Sequence, residues 1–301
     1  MFLNIIPIFV LVVVGYLLRR FNIIKLSWTK TLNNFVYFVS LPALIISGFS
    51  GLGWSNTATL NLLAQNTLII VVFSVLVTLL LLILPIKSKQ RAVILLGATM
   101  GNTVYLGVPL VSNLLPESPI ITAVGVVQLV ISMLCALVAI EFVFVGSRNI
   151  TEIIKRICYN PLLISAIVGV SLSFIDFSSD YDGFVRIPIQ MIATTASPLA
   201  LIALGSFLYA HKPNKNWLQV IFATSLKLLG LPIFAYFVMH YIGQSAYSSN
   251  VTVLMSCMPV AVTAFVISEK YNLDTQFAAM TMLVSTIASV ASITAIAELI
   301  V

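Results

Sequence analysis

Long runs of apolar residues recur along the chain, and short polar stretches separate them. A run of about 20 apolar residues can cross the roughly 30 Å hydrocarbon core of a bilayer as a helix. In lipid the backbone must satisfy its own hydrogen bonds, so each run is predicted to be helical, and the runs are too long for barrel strands. The predicted spans are ten, at residues 2–18, 32–50, 65–86, 91–115, 120–145, 161–176, 187–209, 217–240, 250–268 and 276–300.

Composition places most of this surface in lipid. Of the 301 residues, 60% are apolar and only 8% are charged, whereas about 25% of residues are charged in a soluble domain. The net charge of +6 would suit nucleic acid, but the basic residues lie between apolar runs, so no nucleic-acid partner is expected. Cys135, Cys158 and Cys257 lack the spacing of metal ligands, so neither a metal nor a cofactor is predicted.

Basic residues alternate between the two sides of the predicted spans. Thirteen of the fifteen Lys and Arg residues fall in alternate loops, starting with the loop after the first span. These residues are Arg19, Arg20, Lys25, Lys30, Lys87, Lys89, Arg91, Arg148, Lys155, Arg156, Lys212, Lys215 and Lys270. Basic loops face the cytoplasm. The chain is therefore predicted to be a multi-pass protein of the cell membrane with both termini on the outer side.

Ten spans divide into two sets of five, residues 1–148 and 149–301. An odd number of spans per set gives the two halves opposite orientations, which is the arithmetic of an inverted repeat. Residues 40–48 (SLPALIISG) and 197–205 (SPLALIALG) echo each other in the second and seventh spans. The predicted fold class is an all-α membrane protein with a 5+5 inverted repeat.

The fourth predicted span contains residues that interrupt helices. Gly101, Asn102 and Thr103 form a small and polar stretch inside it, and Gly107 and Pro109 follow closely. A proline inside a helix removes a backbone hydrogen bond at a cost of about 3 kcal/mol. In a membrane such breaks survive where they line a cavity. A simple proline kink is the structural alternative.

The ninth predicted span carries a matching interruption. Met258, Pro259 and Val260 lie near its middle, and Thr263 follows one turn later. Interrupted helices at corresponding positions of two halves are the best sequence indication of a transporter binding site. Half-helix ends would offer amide groups to an anion and carbonyl groups to a cation.

At these residues the sequence resembles the auxin efflux carrier family of membrane transporters. The similarity is carried by residues 101–110 (GNTVYLGVPL), by the ninth span around Pro259, and by residues 269–274 (EKYNLD). The resemblance implies the fold of bile-acid/sodium symporters and NhaA-type antiporters, in which the fourth and ninth helices unwind and cross. Spans 3–5 and 8–10 would form a transport core, and spans 1, 2, 6 and 7 a scaffold that provides a homodimer surface.

The resemblance also implies a small organic anion as substrate, either auxin-like or a dicarboxylate such as malate or malonate. Asn102 matches the polar residue of the family at the first crossing helix. At the second crossing helix the sequence departs from the family, because Thr263 stands where many members have Asn.

Lys227 lies about ten residues into the eighth predicted span, near the middle of the bilayer. A charge there costs at least about 2.5–3.5 kcal/mol, so the side chain is expected to face the protein interior and to have a partner. It can act as the counter-charge of an anionic substrate, neutralise the carbonyl ends of the broken helices, or carry a proton. Glu141 in the fifth span is either a second candidate for ion coupling or a residue that reaches the cytoplasmic interface. Gln128 in the same span can face the crossing or form hydrogen bonds between helices.

Three other functions compete with organic-anion transport. A sodium- or proton-coupled symporter or antiporter of the same fold, with a different solute, is the nearest one, but such antiporters place carboxylates at the crossing. An intramembrane enzyme would need a metal motif or paired acids, which the sequence lacks, although a Ser–Lys pair using Lys227 stays open. A channel would need a selectivity filter of carbonyl or charged rings, and no such motif is present.

Overall fold

The computed structural model describes residues 2–50, 57–116, 118–144, 151, 155, 158–172, 179–210 and 217–300. Over these residues the chain is helical, and the one β-type contact is an isolated bridge between Gly101 and Val260. The α-helices are α1 (Phe2–Arg20), α2 (Leu26–Phe35), α3 (Leu41–Ser50), α4 (Thr57–Ile83), α5 (Ser88–Thr99), α6 (Val108–Leu114), α7 (Pro119–Ala139), α8 (Pro161–Leu172), α9 (Ser179–Thr194), α10 (Ala196–Ala210), α11 (Trp217–Ser225), α12 (Leu231–Ile242), α13 (Ala246–Ser256), α14 (Val262–Lys270) and α15 (Thr275–Ile300).

Four π-helical turns extend these helices. The turn at Val36–Ser40 joins α2 to α3, and the turn at Leu226–Gly230 joins α11 to α12. The turn at Thr103–Gly107 leads into α6, and the turn at Ile140–Phe144 continues α7. A π-turn adds one residue to a helical turn and often marks a functional position.

Six helical stretches in the described part of the chain are long and apolar enough to cross a bilayer. They are Ser27–Phe49, Thr57–Ile83, Ile120–Phe144, Gly183–Ala210, Trp217–Ile242 and Thr275–Leu299. Two shorter apolar helices, Thr103–Leu114 and Pro161–Leu172, also fall within predicted spans. The all-helical membrane fold is confirmed, whereas the count of ten spans stays a prediction. Arg148, Arg156, Lys212 and Lys215, which contribute to the predicted orientation, lie outside the described residues.

The surface of the long helices suits lipid. In α4, the large apolar residues Leu68, Val75 and Leu79 are each about half exposed, while the amide of Asn66 is fully buried. Polar groups in a membrane protein are placed inside the bundle, because hydrocarbon offers them no hydrogen bonds. The distribution along α4 follows this rule.

The helices pack in two groups. In the first group, α1 packs on α10, α10 packs on α2, and α3 packs on α8 and α9. In the second group, α5 contacts α4, α7, α11 and α15, and α13 contacts α7 and α12. The groups meet where α14 touches α2 and α10 and where α3 touches α7. The interruptions in the chain lie in the second group.

Two glycines bring α1 and α10 into backbone contact. A Cβ atom on Gly205 of α10 would lie 1.9 Å from the Val12 carbonyl oxygen of α1. Conversely, a Cβ on Gly15 of α1 would lie 2.1 Å from the Ile202 carbonyl oxygen of α10. Membrane helices associate through small residues that let their backbones approach closely. The pair α1–α10 is a reciprocal contact of this kind.

Candidate functional site

Two helix interruptions meet in the interior of the second group. The first separates α5 from the π-turn that leads into α6, and the second separates α13 from α14 at residues 257–261. The Asn102 backbone N–H donates to the Pro259 carbonyl oxygen at 2.8 Å, and the Ala261 N–H donates to the Met100 carbonyl oxygen at 3.0 Å. We call residues 100–102 and 257–261 the crossing. Each broken helix thus supplies hydrogen-bond partners to the other, as buried backbone requires.

Pro259 lies inside its interruption, as the sequence predicted. Gly107 and Pro109 do not lie in a break, because the chain leaves the helix earlier, at residues 100–102, and both residues belong to helical turns after it. Pro109 is in the first turn of α6, where a missing N–H is tolerated. Gly107 instead allows close packing, since a Cβ there would lie 2.9 Å from both Met255 Sδ and Met258 Cγ.

Two side chains fix the crossing to neighbouring helices. The Val260 N–H donates to Ser285 Oγ of α15 at 3.1 Å. Thr103 Oγ1 donates to the Gly125 carbonyl oxygen of α7 at 2.6 Å. The sequence analysis placed Thr103 in the polar stretch of the fourth predicted span. In the structure the Ser285 hydroxyl holds the backbone of the crossing itself, and the Thr103 hydroxyl holds the residue next to the crossing against α7.

Lys227 belongs to the π-turn between α11 and α12, and its side chain is fully buried. Its Nζ donates to the carbonyl oxygen of Ser256, the last residue of α13, at 2.6 Å. It also lies against Gly101, where a Cβ would be 3.1 Å from Nζ. The interior position and the partner agree with the expectation for a charge inside a span. A cation at this position stabilises the negative end of the α13 dipole, and it is adjacent to the crossing backbone.

Unused hydrogen-bonding groups remain at the crossing. Asn102 is 5% exposed, and its side chain does not cap the π-turn that follows it. The hydroxyl of Thr263 in the first turn of α14 is buried and has no partner. Met258 and Val260, which belong to the second interruption, are also buried. Buried polar groups are ordinarily paired, so these two side chains are available to a ligand at the start of α14.

Gln128 lies in a buried network of polar side chains beside the crossing. Its Nε2 donates to Asn66 Oδ1 at 2.9 Å, and it lies 3.3 Å from both the Thr252 carbonyl oxygen and Ser256 Oγ. Asn66 in turn donates to Thr252 Oγ1 at 3.1 Å. The network connects α4, α7 and α13. Sequence reasoning missed Asn66, although an amide within a long apolar helix is the same kind of signal that identified Lys227.

Glu141 lies elsewhere. It is 13 residues beyond Gln128 along one helix, about 20 Å at 1.5 Å per residue. It is close to a polar cluster in which Asn160 Nδ2 donates to the hydroxyl oxygens of Tyr37 and Tyr271, at 3.1 Å each. Burial, with the neighbouring Tyr37 and the charge of Glu141, raises the pKa of Tyr271 above its ordinary value. This cluster links the two groups of helices away from the crossing.

Two cavities open between α2 and the connection from α14 to α15. Their volumes are about 190 Å³ and 570 Å³, and both are lined by Lys30, Glu269 and Asn272. Asn33 lines the smaller cavity and donates to the carboxylate of Glu269. The cavities lie on the side of the bundle that the basic loops predict to be cytoplasmic. They form an opening between the two groups of helices.

A buried crossing of two interrupted helices inside an all-helical, lipid-facing bundle defines a membrane protein of the transporter class. The chain belongs to the membrane transport protein family, whose model matches residues 1–150 and 145–297. The resemblance to the auxin efflux carriers is thereby confirmed.

Similar proteins occur in several organisms. An uncharacterised transporter of Methanocaldococcus jannaschii is 25% identical over 93% of this chain and 92% of its own length. A protein of Rhizobium meliloti, provisionally named a malonate transporter, is 25% identical over 98% of this chain and 94% of its own length. The lysosomal cholesterol signaling protein of Mus musculus is 26% identical over 93% of this chain, which covers 35% of the mouse protein.

Proposed function

We propose that this protein is a secondary transporter that carries a small organic anion across the cell membrane by alternating access. The observation that carries the proposal is the crossing, where two broken helices pair through Asn102–Pro259 and Ala261–Met100 hydrogen bonds. Carriers build substrate sites from such discontinuous helices. The auxin-like acids and the dicarboxylates malate and malonate are the candidate substrates.

The packing supports a 5+5 inverted repeat. If the first five predicted spans correspond to the last five, the contact of α1 with α10 corresponds to that of α3 with α8, and both contacts occur. The two sides of the crossing correspond in the same way, since each donates one backbone hydrogen bond to the other. We therefore assign the first group of helices as the scaffold, with a homodimer surface, and the second group as the transport core.

The charges at the crossing favour an anion over a metal cation. Lys227 supplies a positive charge beside Gly101, and the first turn of α14 adds N–H groups and the Thr263 hydroxyl. No group of three or more His, Cys, Asp or Glu residues able to hold a metal ion occurs in the part of the chain that the structure describes. Backbone N–H groups at a helix start bind carboxylates well. A sodium- or proton-coupled carrier of another solute remains the second candidate.

The Asn102→Ala variant is expected to lose affinity for the substrate while keeping its fold. Asn102 holds the crossing through its backbone N–H, and its side chain does not cap the following π-turn, so the substitution leaves both of these features in place. A lost hydrogen bond to a charged ligand corresponds to about 1.5–3 kcal/mol, or at least tenfold in dissociation constant.

The measurement is a thermal-shift titration of purified protein with lactate, malonate, malate and indole acetate. A ligand of the folded state raises the unfolding midpoint in proportion to RT ln(1 + [L]/Kd). Asn61→Ala, an exposed change near the start of α4, is the matched control and should titrate like the parent protein. Equal affinities in Asn102→Ala and the parent would remove Asn102 from the site.

A further inference from the structure

Lys227 is the one basic side chain at the crossing among the residues that the structure describes. The described carboxylates lie at helix ends and connections instead. They are Glu141 near the cluster of Tyr37, Asn160 and Tyr271, Glu269 beside Asn33, Asp274 at the start of α15 and Glu298 in its last turn. Within the described part of the chain, the ammonium group is held by the Ser256 backbone carbonyl and not by an ion pair.

A helix end offsets only part of this charge. The C-terminal end of a helix is equivalent to about half a negative charge, so the Ser256 carbonyl and the α13 dipole leave Lys227 undercompensated. An incompletely paired buried charge costs several kcal/mol. The N-terminal end of α14 adds about half a positive charge, which cancels the contribution of the α13 end. One carboxylate next to Lys227 would therefore bring the crossing close to neutrality. A second negative charge would leave an excess of the opposite sign.

We propose that the crossing is matched to an organic anion of single charge, and that the protein consequently exchanges one such anion for another faster than it returns empty. The inference rests on the proposed carrier function and adds two properties to it. These are the charge of the substrate and exchange as the preferred mode of transport.

The physical reason lies in the step between the two access states. In an occluded core, water no longer shields Lys227, because its side chain is fully enclosed by protein. A core loaded with a singly charged anion would make this step near neutrality, whereas an empty core would make it with a net positive charge. Moving one elementary charge through the full membrane potential changes the energy by about 2.3 kcal/mol per 100 mV. Exchange should therefore be insensitive to voltage, and net transport should respond to it.

The test uses the protein in liposomes at pH 7, with labelled lactate, indole acetate and malonate. At this pH the first two acids carry one negative charge and malonate carries two. Counterflow into liposomes loaded with the same acid is compared with net efflux into acid-free buffer, at zero and at −100 mV set by potassium and valinomycin. We expect a singly charged acid to exchange at least about tenfold faster than it leaves alone. Only the net flux should change with voltage.

Lys227→Met and Lys89→Met form a matched pair of variants. Lys89 is exposed in the first turn of α5 and carries the same charge away from the crossing. We expect the ratio of exchange to net flux to fall towards one in Lys227→Met and to stay high in Lys89→Met. Should Lys227→Met fail to fold, the unmodified protein alone still provides the test through its flux ratio and its voltage dependence.

The outcomes separate the two proposals. Net efflux as fast as exchange, or a preference for doubly charged malonate, would overturn the charge-matching inference while leaving a carrier. Counterflow of none of the acids would overturn the proposed function, and the inference with it. A high flux ratio that Lys227→Met also retains would show that the charge of Lys227 is not its cause.

Discussion

Ala261→Pro is expected to reduce transport by at least about tenfold while the protein still inserts and folds. The Ala261 N–H donates to the Met100 carbonyl oxygen. This hydrogen bond is one of two backbone hydrogen bonds that hold the crossing together. Ala261 has φ −68° and ψ 143°, which a proline adopts without strain. The substitution therefore deletes the hydrogen bond and little else of the local backbone geometry.

In Ala261→Pro the Met100 carbonyl oxygen loses its hydrogen-bond donor, and this loss is the source of the expected fall in transport. Met100 is fully buried, so its carbonyl cannot turn to bulk water. A buried acceptor without a donor costs about 1–3 kcal/mol, and 1.4 kcal/mol is a factor of ten in an equilibrium. Because the lost bond joins the two halves of the site, the loss should fall on substrate affinity and on transport more than on global stability.

The measurement combines labelled-acid counterflow with the unfolding midpoint in detergent. Ala261→Ser keeps the N–H and serves as the control, with near-parent transport expected. A lowered midpoint of a few degrees with a large loss of counterflow would support a functional crossing. Equal transport in Ala261→Pro and Ala261→Ser would show that the pairing of the two broken helices is dispensable.

Single charged or helix-breaking residues within the apolar spans predicted part of the candidate site at the crossing. Lys227 and Pro259 stood out because a charge or a proline within a long apolar run has few structural explanations. The structure places Lys227 in the interior and Pro259 in a helix break. The physics of one residue in lipid was sufficient for both predictions.

The position of the first break could not be read in the same way. Gly107 and Pro109 suggested it, but the chain leaves the helix at residues 100–102, where Asn102 pairs with Pro259. That partner lies 157 residues further along the chain, so local helix preferences do not encode the pairing. Proline is tolerated in the first turn of a helix, which is why Pro109 was a misleading marker.

The sequence also did not predict which residues of different helices contact each other. Gly15 and Gly205 are two of fourteen glycines, and their immediate sequence does not show that they face each other. Their importance comes from the carbonyl groups of the facing helix. Asn66 was missed for a related reason, since a single amide in an apolar helix gives no indication of which helices it will connect. Its partners are a glutamine from α7 and a threonine from α13.

Gly205→Ala and Gly183→Ala are expected to change stability in opposite directions, although each adds one methyl group to a helix. Alanine favours a helix over glycine by about 1 kcal/mol when space is available. At Gly183 of α9 the nearest atom to a new Cβ is Ile187 Cδ1 at 3.9 Å, so that variant should be at least as stable as the parent. At Gly205 the new Cβ would lie 1.9 Å from the Val12 carbonyl oxygen and 2.8 Å from the Tyr16 nitrogen.

The neighbours of Gly205 are backbone atoms of α1, so no side-chain rotation can relieve the contact. The two helices must separate by more than an ångström, which loosens the packing of Val12 and Leu201 around the pair. Overpacking of a close contact typically costs about 1–3 kcal/mol, and more where backbone must move. We expect a clearly lower unfolding midpoint for Gly205→Ala in a detergent melt followed by size exclusion, and a similar loss for Gly15→Ala. Equal midpoints for Gly205→Ala and Gly183→Ala would mean that α1 and α10 do not approach as closely as the scaffold assignment requires.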